Sequence, residues 1–523
     1  MAGFDAIVIG SGFGGAVAAC RLAEAGETVL VLERGRRWQT ADLPRAPGDE
    51  WLFDPDAPDK RHGWIDFRLF PRIAVVQGAG VGGGSLIYAN VFVPAEPFAF
   101  ADGWPPEITF AELQPHYETA GRMLAVETLP DGQLTARARL MREAAGAIGA
   151  ADRVRKLPLA VRFDPGWTYD QPDPHDPGRS KPAANAFGKP QGTCIHCGNC
   201  DIGCPVGARN TLDLNYLALA ESKGAAIRPL SLVRAIAPEA GGYRVEIRRL
   251  DTGTTTSESA RRVIVAAGSL GSTELLLRCR DEHRTLPQIS PRLGRGWCAN
   301  GDFLTPAVYP DRAISPTRGP TITTAIDYLD GSDGGHRYFV EDGGFPDVVG
   351  NALQAALNRG VTGRTIFAGW RMALAALARG HDPLAVVMPW FGQGVDATDG
   401  TMRLARPLLG GALGLTLDYD PAGSRGVVQA MIERHKALAL ATGGLPIEPP
   451  AWTWLNYLVT PHPLGGCAMG RSAADGVVDH KGAVFGYPGL YVLDGAAVPR
   501  ALGLNPSRTI AALAERAMGL MLA

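Results

Sequence analysis

Residues 4–33 leave this chain little freedom of fold. Asp5-Ala-Ile-Val-Ile-Gly10 is a short apolar run of the kind that forms a buried parallel strand. It leads into Gly10-Ser-Gly12-Phe-Gly-Gly15, then a helical stretch from Ala16 to Ala23, then a second apolar run, Val29-Leu-Val-Leu32, closed by Glu33. This is a strand–helix–strand unit with a Gly-x-Gly-x-x-Gly turn. Gly10 permits the turn, Gly12 lets the backbone approach a pyrophosphate, and Gly15 lets the helix pack on the strand. The helix start offers free N–H groups and the positive end of a dipole to phosphate. Glu33 is expected to accept hydrogen bonds from ribose hydroxyls, and an acid there argues against a 2′-phosphate. The turn alone does not separate NAD from FAD.

Three further blocks resemble parts of the same machine. Residues 78–90 read Gly-Ala-Gly80-Val-Gly82-Gly83-Gly84-Ser85-Leu-Ile-Tyr-Ala-Asn90. So many glycines cannot form a stable helix, and they leave backbone bare for close passage under a flat ring or a phosphate. Arg262 to Leu277, through Ala267, Gly268 and Gly271, reads again as strand, glycine turn and helix. Ala226 to Val233 reads as one strand just upstream. Gly489 to Pro499, with Asp494-Gly495, is followed by Gly503-Leu-Asn505-Pro506 and a closing helix. A chain of 523 residues exceeds one ordinary core, so two domains are expected. A formal net charge of −2 without basic runs gives no pointer to nucleic acid.

On these residues the chain resembles the glucose–methanol–choline (GMC) oxidoreductases, and within them the bacterial cholesterol-oxidase branch. The carrying motifs are Gly10–Gly15, Gly80-Val-Gly-Gly-Gly-Ser85, His462-Pro-Leu-Gly-Gly466, Asp494-Gly495 and Gly503–Pro506, in family order from end to end. The resemblance implies an α/β fold: a Rossmann-like FAD-binding domain with an α+β, sheet-based substrate domain over the flavin. The expected division is 1–90, 191–300 and 455–523 for FAD, and 91–190 and 301–454 for substrate. It further implies that Glu33 holds the adenosine ribose and that backbone near Val233 meets adenine. Gly82, Gly83, Ser85 and Asn90 would lie beside pyrophosphate, ribityl chain and flavin, with Asp494 on the ribityl side. No histidine lies between Gly78 and Asn90, so the FAD is expected to be dissociable.

Alcohol oxidation needs a base for the hydroxyl proton while hydride leaves the carbon. Histidine suits that role because it titrates near neutrality. His462 precedes a Pro-Leu-Gly-Gly turn, and Asn505 precedes Pro506, which favours extended geometry. The resemblance places both on the substrate face of the flavin. Glu341, in the alternating stretch His336–Pro346, resembles the glutamate that cholesterol oxidases hold over the flavin; an exposed acid before a turn is the other reading. The substrate is expected to be a sterol or another bulky hydrophobic alcohol, oxidised with O₂ or an electron carrier as acceptor. A dehydrogenase of long-chain, aryl or sugar alcohols is the alternative. An NAD enzyme or nucleotide sensor using only the first unit would leave the later motifs without purpose.

The rest of the chain is less decisive. Residues 351–357 and 369–379 read as amphipathic helices that face the core, shelter a greasy substrate near a mouth, or rest on a membrane surface. Pro-rich stretches 44–58 and 164–182 read as loops or a lid. Cys194, Cys197, Cys200 and Cys204 carry the spacing of a bacterial ferredoxin run, but a single run leaves one cluster short of a ligand. Structural thiols, an iron–sulfur centre and zinc all remain open. The absence of a leader or a long apolar span suggests a cytoplasmic protein.

Overall fold

The computed structural model describes residues 3–349, 384–406 and 412–523. Strands Phe4–Ile9 and Val29–Leu32 are parallel neighbours, Ala6 opposite Val29, joined by the helix Phe13–Glu24. Ala6–Ile9 and the whole second strand are buried, as a parallel sheet covered on both faces requires. Thr255–Val265 flanks Phe4–Ile9 on its other side, and Leu490–Val492 adds beyond it, both parallel. Sequence-distant strands therefore meet on one sheet, which puts the glycine turns after Ile9 and Val265 and the turn at Asp494 at the same edge. The first half of Thr255–Val265 turns into an antiparallel meander with Gly242–Arg249 and Ser231–Glu239, completing seven strands.

The single strand expected over 226–233 is two. Ala226–Arg228 pairs with Val29–Leu32, and Ser231 opens a strand paired with Gly242–Arg249. Pro229 has no N–H for a ladder and Leu230 adopts a left-handed φ of +53°, so no strand can run through.

A second sheet of six antiparallel strands runs Leu445–Pro446, Phe303–Val308, Val387–Gly394, Tyr338–Asp342, Thr324–Asp327, Val154–Lys156. Helices Ala136–Ala147 and Arg425–Ala441 pack against it. The stretch around Glu341 is a strand, as its alternation suggests. All five of its residues are buried, however, so both faces of the sheet are covered at this central strand. A small third sheet, Leu458–Thr460, Ile73–Gly78, Ile65–Leu69 and Leu52–Phe53, leads the chain up to His462. The stretch 44–58 thus contains a two-residue strand, whereas 164–182 contains only one short helical turn at Pro177–Arg179. The helices read over 351–357 and 369–379 lie outside the described residues. Among the described residues, no helix is long and apolar enough to cross a membrane.

Candidate active site

One cavity of about 750 Å³ brings most of the sequence motifs together. Its floor is two glycine loops in contact. A Cβ on Gly83, at φ +53°, would stand 2.6 Å from the Gly12 Cα. Ser11 ties the loops: its Oγ accepts from Gly82 N (3.0 Å) and donates to Glu33 Oε2 (2.7 Å). Glu33 also accepts from Ser11 N (3.1 Å) and Gly35 N (2.9 Å), and still lines the cavity with lone pairs to spare. The helices beginning at Phe13 and Gly268 both open on the cavity, and neither first turn holds an acid. Such helix starts suit phosphate. Asp494 spans between Gly268 N (2.8 Å), Ser272 Oγ (2.5 Å) and Ala496 N (2.8 Å), with burial pushing its carboxyl up to about 6. Val233, Ala267, Gly495 and Pro506 complete the predicted lining, with Gly10, Gly12 and Gly83. A bare backbone cradle, two open helix starts and an acid with free lone pairs fit FAD.

Other predicted cofactor residues support this floor without lining it. Gly15 lies under the turn, where a Cβ would meet Gly10 O at 2.1 Å. Gly80 bridges to Arg36, and Gly82 is turned to Ser11. Ser85 Oγ donates to Gly82 O (2.8 Å) and accepts from Leu212 N (3.1 Å). Asn90, at φ +67°, accepts from Arg209 Nε (2.8 Å) and keeps a buried Nδ2 without a partner, while its neighbours Ala89 and Val91 reach the cavity.

His462 and Asn505 line the same cavity. His462 Nδ1 donates to Asp302 Oδ1 at 2.8 Å, and its backbone N donates to Thr460 Oγ1 at 2.9 Å. A carboxylate only accepts, so the neutral imidazole carries its proton on Nδ1 and its lone pair on Nε2. Asn505 is buried, with Oδ1 lacking a partner in the structure. Glu341 stands behind it, fully buried and outside the lining. Its Oε2 accepts from Gln393 Nε2 (2.8 Å), and Oε1 has no partner. Burial pushes the Glu341 carboxyl up to about 8, against the opposing pull of the hydrogen bond from Gln393 and with the nearby Asp342 adding to the rise. Glu341 is therefore protonated at neutral pH. The wall beyond these groups is apolar: Leu304, Ile322, Phe345, Pro346 and Phe391.

The sequence reading missed Asp302, Thr460, Gln393 and Arg209. Asp302 carries no local motif: it lies 160 residues before the histidine it touches. Arg209 donates to Asn90 and to Leu86 O (3.0 Å), and its guanidinium reaches Cys200 O, tying the second glycine loop to the cysteine segment.

Cys194, Cys197, Cys200 and Cys204 line one small cavity of about 20 Å³ with Arg209. Cys194 Sγ accepts from His196 N (3.4 Å) and Cys204 Sγ from Ala208 N (3.2 Å). His196 is stacked on Trp167 with centroids 3.9 Å apart and bonded at both ring nitrogens, to Tyr169 and Gln133. All eight cysteines are free, and burial pushes the Cys197 thiol up to about 12. Among the described residues, no group of three or more His, Cys, Asp or Glu is arranged to hold a metal ion.

Known proteins resemble this chain over nearly its whole length. The GMC oxidoreductase family is matched over residues 183–294 and 449–514, and an NAD(P)-binding Rossmann-like domain over residues 8–40. A cholesterol oxidase of Mycobacterium tuberculosis is 34% identical, covering 99% of this chain and 91% of its own. A cholesterol oxidase of Acinetobacter baumannii is 32% identical, with 98% and 94% covered. A crystal structure of pyridoxine 4-oxidase from Mesorbium loti shares the fold, with a TM-score of 0.64, 17% identity and coverage of 99% and 98%. The chain belongs to the GMC oxidoreductase family and is an FAD-dependent alcohol oxidoreductase.

Proposed function

We propose that this enzyme oxidises a sterol or another bulky hydrophobic alcohol, with His462 as base and with FAD held without a covalent link. The observation that carries the reading is a single cavity lined both by the glycine loops and by His462 and Asn505. Bound FAD supplies the two-electron acceptor for hydride. His462 Nε2 takes the hydroxyl proton, and Asp302 stabilises the imidazolium that results. Asn505 lines the same cavity and carries a buried Oδ1 without a partner, and the neutral Glu341 is buried nearby. The apolar wall keeps water from the reacting carbon.

Two observations support the substrate class. Val459 lines the cavity and lies in register, through Ala74, with Leu69. Leu69 and Phe67 share that sheet face and are exposed, so an apolar strip runs from the cavity to solvent. The two relatives above are named for cholesterol. A dissociable cofactor is supported by the lining: among its described residues His462 is the one histidine, and none is cysteine.

Anaerobic flavin bleaching tests the reading. His462→Ala and Asn505→Ala are expected to keep bound FAD while losing bleaching by sterols ~10²–10⁴-fold. Parental rates in both variants would refute the site. Rapid bleaching by sugars, with none by sterols or long-chain alcohols, would refute the substrate class.

A further inference from the structure

We infer that the turn Ala299–Asp302 is the positioning element of the substrate face, fixing His462 through Asp302 and Asn505 through Asn300. The inference rests on His462 and Asn505 acting as proposed above.

The turn is built to hold one shape. Asn300 adopts φ +55° and Gly301 φ +62°, and a Cβ on Gly301 would meet Gly394 O at 2.4 Å. Asparagine tolerates that left-handed conformation, and only glycine fits the next position. The turn is wired at every residue. Ala299 N donates to Asp396 Oδ2 (3.0 Å), and Ala299 O lies 2.8 Å from Thr460 Oγ1.

From this anchor two arms reach the cavity. Asp302 holds His462 Nδ1 at 2.8 Å, and its other oxygen lies 2.5 Å from the Thr460 hydroxyl that also receives His462 N. The imidazole is thus gripped at ring and backbone, with Nε2 left free. Asn300 Oδ1 accepts from Leu502 N (2.8 Å) and Gly503 N (3.0 Å), and its Nδ2 donates to Leu504 O (2.8 Å). Three bonds from one fully buried amide therefore set the backbone immediately before Asn505. The same Nδ2 lies 3.3 Å from Gln393 Oε1, whose Nε2 donates to Glu341. Asn300 thereby also orients the acid behind Asn505. Neither Asn300 nor Asp302 lines the cavity, so both act through the residues that do.

Such a role predicts loss of rate without loss of substrate binding. In Asp302→Asn the isosteric amide can turn a donor toward Nδ1 and favour the wrong tautomer. Its limiting rate of flavin reduction is expected to fall ~10²–10⁴-fold, with the alcohol's apparent Kd within about 3-fold of the parent. Asn300→Ala should lower the same rate on the order of 10²-fold, by displacing Asn505 and Glu341. The tautomer supplies a second readout: ¹⁵N spectra of histidine-labelled holoenzyme should report His462 protonated on Nδ1 in the parent and mixed in Asp302→Asn. Should Asp302→Asn fail to hold FAD, Thr460→Val keeps the carboxylate and removes one grip, and a loss of ~10-fold in rate at unchanged Kd is expected. His462→Ala is measured alongside. If it reduces flavin at the parental rate, the base assignment has failed. If it is inactive while Asp302→Asn (or Thr460→Val in its place) keeps the parental rate and tautomer, the positioning role is overturned.

Discussion

The two sides of the cavity are made of different material. The side proposed for the cofactor is largely backbone: Gly10, Gly12 and Gly83, two helix starts, and two acids, Glu33 bracing the loops and Asp494 at the second helix start. The substrate side is side chains brought from separate strands and turns: His462, Asn505, Glu341 and, behind them, Asp302 and Asn300. Backbone recognition depends on shape and on dipoles that no single side chain supplies. Side-chain chemistry depends on individual protons and partners. Substitutions on the two sides should therefore fail differently, the first by losing the cofactor and the second by losing rate with the cofactor in place.

On the floor the departure is expected in cofactor binding. Gly83→Ala puts a Cβ 2.6 Å from the Gly12 Cα at a left-handed φ. Neither neighbour has a side chain that could swing away, so the two loops must separate. Backbone strain and overpacking of a few kcal/mol correspond to FAD binding weaker on the order of 100-fold. Titration of apo-protein with FAD, followed by flavin fluorescence, checks this. Rate at saturating FAD should be far less affected. If affinity is unchanged and rate falls instead, the contrast between the two sides breaks.

The same contrast explains what could be read from the chain beforehand. A glycine turn is a local pattern, so Gly10–Gly15 and Gly80–Ser85 declare themselves within a few residues, as does His462 beside its Pro-Leu-Gly-Gly turn. Asp302 and Asn300 could not be read, because their meaning depends on contacts with residues 462 and 502–504 that only tertiary folding creates. Ser85 and Asn90 belong to the right loop, yet their side chains meet Leu212 N and Arg209, again partners remote in sequence. The break at Pro229 was locally visible. Reading 226–233 as one strand gave the apolar pattern more weight than a residue that cannot donate to a ladder.

The substrate side contains its own comparison, between two buried acids. Asp302 has a histidine partner, whereas Glu341 has only amides and is protonated at neutral pH. Its carboxyl stands at about 8 in the folded protein against an ordinary 4.5. Between those values the folded chain keeps a proton that the unfolded chain releases. Stability from this group is thus full below pH 4.5 and is lost as pH rises towards 8, at up to ~1.4 kcal/mol per pH unit. Glu341→Gln removes that dependence. Its melting temperature should gain on the parent's from pH 5 to pH 8 and then hold steady. At pH 7 its flavin-reduction rate should stay within ~10-fold of the parent's, since a neutral amide replaces a neutral acid. A parallel pH dependence in both proteins would show that Glu341 is ionised, and the distinction between the acids would go.

The smallest effect should come from the strip that leads outward. Phe67 and Leu69 are exposed on the sheet face that Val459 continues into the cavity, and neither lines the cavity. If bulky apolar alcohols slide along that face, the contacts are made before the chemical step and contribute equally to ground and transition states. Leu69→Asn and Phe67→Asn should then lower kcat/KM for a sterol ~3–10-fold, about what partial burial of one apolar side chain is worth. Limiting kcat should not change. A short alcohol such as a small primary alcohol, which cannot span the strip, should show no difference at all. A fall in kcat would instead tie the strip to the chemistry, and equal losses for short and bulky alcohols would mean that it guides neither.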